Sequence, residues 1–275
     1  MRIFCQLLFF VLVTHVVKAG DLKIITSGGF QGVADAQGKV IVPAVYEKLG
    51  WSNGEYEIIN QNIGYYENGK WGLINIKTKK ILGARFHVLE PFNLDYFEAG
   101  KTVPYSNVLK RGLIDATGEV ILDFHFYSIS DLDHGRFTVA TYENGSLSFG
   151  VFSSDNMPII PCNYASVGSV GDLLVASNLQ KKQRVFNRNG TLLVNDWVDH
   201  VSLLEDGYAI QKDGYFGKLD KSGEMLFSTR YKSVAPVHEF NSWEIKSLTT
   251  LELPGTRMEC DSISYQESDD LLIAH

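Results

Sequence analysis

The residues of this chain that could do chemistry are spread thinly. Zinc asks for His and Cys gathered at short spacing, whereas His87, His125, His134, His200 and His238 are scattered along the sequence. The densest group is Asp131-Leu132-Asp133-His134, and Asp196, Asp199 and His200 form a weaker one. With no helix to set either group on one face, both read as solvated loop residues. A serine nucleophile would sit on a strained elbow of the G-x-S-x-G type. The sequence has none, and Ser27-Gly28-Gly29 reads as a flexible turn. Neither a P-loop nor a dinucleotide fingerprint is present. Glycoside hydrolysis needs two carboxyl groups roughly 5–9 Å apart across a cleft. The 32 acidic residues can supply such a pair by chance, but no spacing selects one. The expectation is a chain with no catalytic, metal or cofactor residues. A polysaccharide-active hydrolase is the alternative.

The elements that would position any site come from a repeat. Gly32, Gly72, Gly112, Gly150 and Gly217, with Arg184 in the fifth place, stand at intervals of 40, 40, 38, 34 and 33 residues. Periods of that size mark repeat arrays and propellers. One place on come Val33, Leu73, Leu113, Val151 and Val185, with Lys218 the exception. Three places on come Asp35, Asn75, Asp115, Ser153, Asn187 and Asp220, and six places on Gly38, Thr78, Gly118, Asn156, Gly190 and Gly223. Asp, Asn or Ser opens a type I turn, and Gly or Asn closes it in the left-handed region. The anchor segment and the apolar run after each turn therefore read as a hairpin with a bulge.

Fourteen places on, an aromatic returns as Tyr46, Phe86, Phe126, Tyr164 and Tyr231, with Trp197 one place early in the fifth copy. Such a ring suggests a contact between neighbouring copies. A further strand is expected before most anchors, at Leu22 to Thr26, Tyr56 to Ile59, Arg136 to Tyr142, Leu173 to Ala176, Tyr208 to Gln211, and after the last anchor at Trp243 to Leu248. The fold class is all-β: six tandem repeats of about three antiparallel strands, in a propeller-like arrangement rather than an open β-solenoid.

Lys70-Trp71-Gly72-Leu73-Ile74, with Arg111-Gly112-Leu113-Ile114-Asp115-Ala116-Thr117-Gly118 close behind, resembles the bacterial WG-repeat family. Trp71 alone keeps the tryptophan; Gln31, Arg111, Phe149, Gln183 and Phe216 replace it elsewhere. The resemblance spans Phe30 to Leu248. It implies a β-repeat scaffold and carries no catalytic residues with it.

Residues 1–19 read as a secretory signal: Arg2, an apolar run from Ile3 to Val17, and Val17-Lys18-Ala19 before a cut after Ala19. The apolar run is too short to favour a membrane anchor. Residues 20–248 form the repeat domain and 249–275 a tail that breaks the period. Cleavage leaves 256 residues with 23 basic against 32 acidic side chains, a formal charge of −9, which argues against a nucleic-acid partner. The expected role is a secreted or envelope-associated scaffold for a protein or an envelope glycan. Cys162 and Cys260 could pair in an oxidising compartment. The loops after the recurring aromatics carry Glu47, Glu90, Asp95, Asp131, Asp133, Glu205, Asp206 and Glu239, with Trp51 among them. These are expected to form an acidic interaction rim, for a cationic partner or with Ca²⁺ as a weak bridging ion.

Overall fold

The computed structural model describes residues 22–237, apart from 107 and 134, and the strands beyond them that are named below. Residues 1–19, read above as a signal, Glu239 and Cys260 lie outside the described residues. Among those described, all regular structure is β-strand. The chain divides into two compact units, 1–120 and 121–275.

In the first unit, β1 (Lys23–Ser27), β2 (Phe30–Ala34) and β3 (Val40–Tyr46) make one antiparallel sheet. A second sheet follows in chain order as β4 (Lys48–Leu49), β5 (Asn62–Glu67), β6 (Lys70–Asn75) and β7 (Ile81–Phe86). A third starts with β8 (Val88–Pro91), β9 (Tyr96–Thr102) and β10 (Leu109–Asp115), and the division falls inside β11 (Val120–Phe126). The second unit holds a sheet of β12 (Ser128–Asp133), β13 (Arg136–Glu143), β14 (Ser146–Ser153) and β15 (Pro158–Tyr164). Next come β16 (Ser166–Val170), β17 (Leu173–Ser177) and β18 (Gln183–Phe186). The last sheet has β19 (His200–Leu204), β20 (Gly207–Lys212), β21 (Tyr215–Asp220) and β22 (Met225–Val237). It is extended by β23 (Ser242–Ser247); in the tail β24 (Leu251–Leu253) pairs with β25 (Thr256–Met258), and β26 (Ile263–Gln266) and β27 (Leu271–Ala274) join the sheet edge.

Two expectations about strands are corrected. Tyr56 to Ile59 is loop, and the strand is β5, six residues on; β5 carries the buried Ile63 and Tyr65, whereas Tyr56 is exposed. The stretches read as loops after the aromatics open with a strand of their own (β4, β8, β12, β16 and β19), so several sheets have four strands.

The turns follow the chemistry of their residues. Gly38, Gly118, Asn156, Gly190 and Gly223 all have positive φ. Each N–H donates to the carbonyl three residues back, on Asp35, Asp115, Ser153, Asn187 and Asp220. The opening carboxylate or amide then caps its own loop: Asp35 Oδ1 accepts from the N–H of Gln37 and Lys39, Asp115 Oδ1 from Thr117 and Glu119, and Asn187 Oδ1 from Asn189 and Thr191. The second copy departs from the pattern. There Lys79, not Thr78, takes the left-handed conformation (φ 63°), and the turn closes one residue later, from Asn75 N–H to Lys80 carbonyl.

The anchor glycine has a steric cause. The residue before it pairs with the recurring aromatic (Gln31 with Tyr46, Trp71 with Phe86, Phe149 with Tyr164, Phe216 with Tyr231). The residue after it pairs four positions earlier on the same partner strand (Val33 with Val42, Leu73 with Leu82, Val151 with Ile160, Lys218 with Phe227). Two residues thus face four, and the partner backbone bulges against the anchor. A Cβ on Gly32, Gly72, Gly150 or Gly217 would lie 2.5–2.8 Å from the carbonyl oxygen of Val42, Leu82, Ile160 or Phe227. In the fifth copy, where Arg184 replaces the glycine, residues 187–198 form only isolated bridges, Phe186 with Leu192 and Gln183 with Val198. The guanidinium of Arg184 lies instead over the Trp197 ring, 4.8 Å from its centroid.

The core sits between consecutive sheets. In the first unit Val33 and Val42 pack with Leu49, Ile63, Tyr65 and Ile74 of the next sheet. In the second unit, Val151 and Ile160 pack with Leu174 and Phe186, and Val175 and Val185 with Tyr208, Ile210 and Leu219. The recurring rings bridge copies as expected: Tyr46 meets Tyr65 at 4.9 Å, Phe126 meets Phe152 at 5.1 Å, and Tyr164 meets Phe186 at 6.0 Å.

Candidate functional site

In these sheets the loop into the second strand and the type I turn meet at one strand end. The register shows it: the first residue of that strand faces the residue that opens the turn, as Asn62 with Asn75, Tyr96 with Asp115, Arg136 with Ser153 and Gly207 with Asp220. The acids expected as a rim can be placed against this end, unit by unit.

Asp95, Asp131 and Glu205 are exposed there. Trp51 is a correction. It is fully buried, stacked on Phe97 at 5.5 Å, with its indole N–H donating to the Glu57 carbonyl at 2.7 Å. Its ring is core, because the chain turns inward at Gly50, whose N–H donates to the Gly64 carbonyl. Glu47 is a second correction. It lies at the opposite strand end, where its carboxylate accepts from the Asn68 N–H in the β5–β6 turn at 3.1 Å. Other rim acids are engaged within the fold. Asp133 accepts from the Arg136 Nε–H at 2.8 Å and Asp206 from the Lys218 ammonium at 2.7 Å; Asp172, outside that set, pairs with the Arg188 guanidinium.

Lys218 and Arg136 are the residues that sequence reasoning passed over. Lys218 occupies the column held elsewhere by Val or Leu and is fully buried. Its break with that column was the visible signal. The Arg136 side chain is 8% exposed, and no pattern in the sequence announced it.

A carboxylate pair occupies the third sheet. Glu90 on β8 faces Glu98 on β9 directly. The Ser52 hydroxyl donates to Glu90 at 2.7 Å, and Arg111 pairs with Glu98. Burial pushes the Glu98 carboxyl above the usual range; Arg111 opposes this, and the Glu90 charge adds to it. At Cys162, burial raises the thiol, with the Thr141 hydrogen bond opposing and Glu143 adding to the rise. Among the described residues, no three acid, His or Cys side chains converge so as to hold a metal ion, and no helix is long and apolar enough to cross a membrane.

In the second unit a cleft of about 280 Å³ opens between two neighbouring turns, lined by Asp172, Leu173, Asn187, Arg188, Asn189, Lys221 and Ser222. The turns that wall it are held by hydrogen bonds of their own. Tyr208 Oη accepts from the Asp172 N–H at 3.0 Å, and Asp220 accepts from the Glu224 N–H and the Ser222 hydroxyl.

A model of the WG containing repeat matches residues 32–62 and 112–142, each match beginning at an anchor glycine. The matched copies are the first and third, not the second with its Trp71-Gly72, which is also the copy with the longer turn. No curated protein matches the chain. Among solved structures it is similar to BamB from Moraxella catarrhalis (12% identity, 83% of this chain and 79% of that one, TM-score 0.32). It is also similar to the WD40 β-propeller domain of Doa1 (10%, 79% and 80%, 0.26) and to Porphyromonas gingivalis dipeptidyl peptidase 4 (10%, 82% and 49%, 0.36). The periodic anchors and the shared turn and bulge carry on, in the other copies, the pattern of the two segments that match the WG containing repeat.

Proposed function

We propose that this protein is an exported, non-catalytic binding scaffold whose partner seats on the turn ends of the strands. One observation carries the reading. The recurring residues are consumed by the scaffold itself: the turn acids and amides cap their own loops, and the anchor glycines admit the bulge carbonyls. What varies between copies is the loop into the second strand, which runs over residues 50–61 in the second sheet, 92–95 in the third and 205–206 in the last. Repeat proteins bind through such variable segments on a constant frame. The leader-like residues 1–19 support export, and the charge of −9 that remains without them favours a cationic protein or an envelope glycan over nucleic acid.

The test is capture from an envelope extract by the purified chain beginning at residue 20. Reversal of charge at Asp95, Asp131 and Glu205, which are exposed, should reduce capture while leaving the melting temperature within about 2 °C of wild type. Capture unchanged by all three would refute the turn ends as the binding segments.

The hydrolase alternative rests on the Glu90–Glu98 pair. Cross-strand neighbours have Cβ atoms about 5 Å apart, within reach of the spacing that glycoside hydrolysis uses. Burial of Glu98 adds the raised carboxyl that a general acid needs. Turnover of chromogenic glycosides that is abolished by Glu98→Gln would favour this alternative; no turnover by the wild type would remove it.

A further inference from the structure

We infer that the cleft between the fifth and sixth turns binds a single sugar ring carrying one carboxylate, a hexuronic acid or its like. This names a ligand class for the face proposed above and rests on that reading. The lining holds two cations and one acid, Arg188, Lys221 and Asp172, in a chain whose charge is otherwise strongly negative. Arg188 already gives part of its fork to Asp172, with the two side chains 45% and 61% exposed, so its remaining N–H groups face solvent. Lys221 has no acid partner among the described residues. Asp220 is close in sequence, but its carboxylate is turned onto its own loop by the Ser222 hydroxyl and the Glu224 N–H.

Charge complementarity selects a monoanion. Lys221 and Arg188 attract a carboxylate, while Asp172 repels the second charge of a phosphate. The rest of the lining suits hydroxyl groups. Asp172 accepts hydrogen bonds, Asn189 both donates and accepts, and the Ser222 oxygen keeps lone pairs after donating to Asp220. Asn187 Oδ1 is occupied by the Asn189 and Thr191 N–H groups, which leaves its NH₂ to donate. Size agrees: about 280 Å³ is near the lower bound of roughly 300 Å³ for ligand pockets, enough for one ring. No aromatic side chain lines the cleft for a base to stack on.

The experiment is calorimetric titration of the chain beginning at residue 20 with glucuronate, glucose, acetate and inorganic phosphate at low ionic strength. Glucuronate should bind more tightly than each of the other three. Lys221→Ser and Arg188→Gln should each weaken it by about tenfold, the loss expected for one charge-assisted hydrogen bond. Asp172→Asn should narrow the gap between phosphate and glucuronate. All three side chains are exposed, so melting temperatures should hold; if one variant unfolds, the other two decide. Absence of glucuronate binding by the wild type, equal binding by Lys221→Ser and Arg188→Gln, or phosphate bound more tightly than glucuronate would each overturn the assignment. Envelope capture run in parallel separates the two ideas. Capture retained without glucuronate binding ends this inference alone, whereas glucuronate binding without capture ends the wider reading.

Discussion

Gly32→Ala tests the account of the repeat at its anchor. The added Cβ would sit 2.6 Å from the Val42 oxygen, 2.7 Å from the Ala44 nitrogen and 2.8 Å from the Pro43 carbonyl carbon, all backbone atoms. No rotamer change relieves this, so β3 must move away by several tenths of an ångström. Overpacking of this kind costs about 1–3 kcal/mol, and loosening a bulge hydrogen bond adds about 1 kcal/mol. Lower unfolded-state entropy returns about 0.4–1 kcal/mol. The net loss of about 1–4 kcal/mol should lower the melting temperature by about 2–14 °C for a chain of this size. Gly83→Ala is the matched control, also a strand glycine, where nothing lies within 4 Å of the new Cβ. It should melt within about 2 °C of wild type. The assay is thermal unfolding followed by circular dichroism, with urea midpoints as a second measure. If Gly32→Ala melts with or above Gly83→Ala, the bulge is not what selects glycine.

Gly38→Val should cost about 1–2 kcal/mol through its φ of +85° alone, since nothing lies near its Cβ; Gly118→Val should cost more, because its Cβ also meets Leu82 at 2.6 Å. Equal urea midpoints for the two would separate the turn from its packing role. Truncating the buried Lys218 to Ala should destabilise by about 3 kcal/mol, whereas Lys218→Leu with Asp206→Asn, which restores the apolar column, should stay within about 1 kcal/mol of wild type; a double variant as unstable as Lys218→Ala would refute this. Two carboxylates should give opposite pH slopes. At Asp220, burial acts to raise the carboxyl, but the Ser222 hydroxyl and the N–H groups of Glu224, Ser222 and Gly223 hold it below the usual value; its stabilisation is present above the unfolded value near ~4 and is lost as pH falls through the folded one. Glu98 is raised, so its contribution is full below the unfolded value near ~4.3 and falls as pH rises through the folded one. Melting curves of Asp220→Asn and Glu98→Gln against pH should each flatten on the corresponding side, and parallel curves would refute both assignments.

What the sequence determined by itself was whatever depends on local chemistry. Asp, Asn or Ser opening a turn and Gly or Asn closing it act over a few residues, so five of six turns were legible before any fold was known. Position in the repeat, ahead of the next anchor, likewise placed β13, β17 and β20. Tertiary structure decided what depends on partners far along the chain. Thr78 yields its place to Lys79 because the second turn is one residue longer, which is a matter of strand register. Trp51 has the composition of a binding residue and becomes core because Gly50 and Gly64 let two backbones meet beside it. Asp133 and Asp206 read as free surface charges until Arg136 and Lys218 are seen to be buried against them. The anchor glycine lies between the two cases. Its recurrence is written in the sequence, but its cause is a carbonyl ten residues away, and only the bulged pairing of the strands brings that oxygen close enough to exclude a side chain.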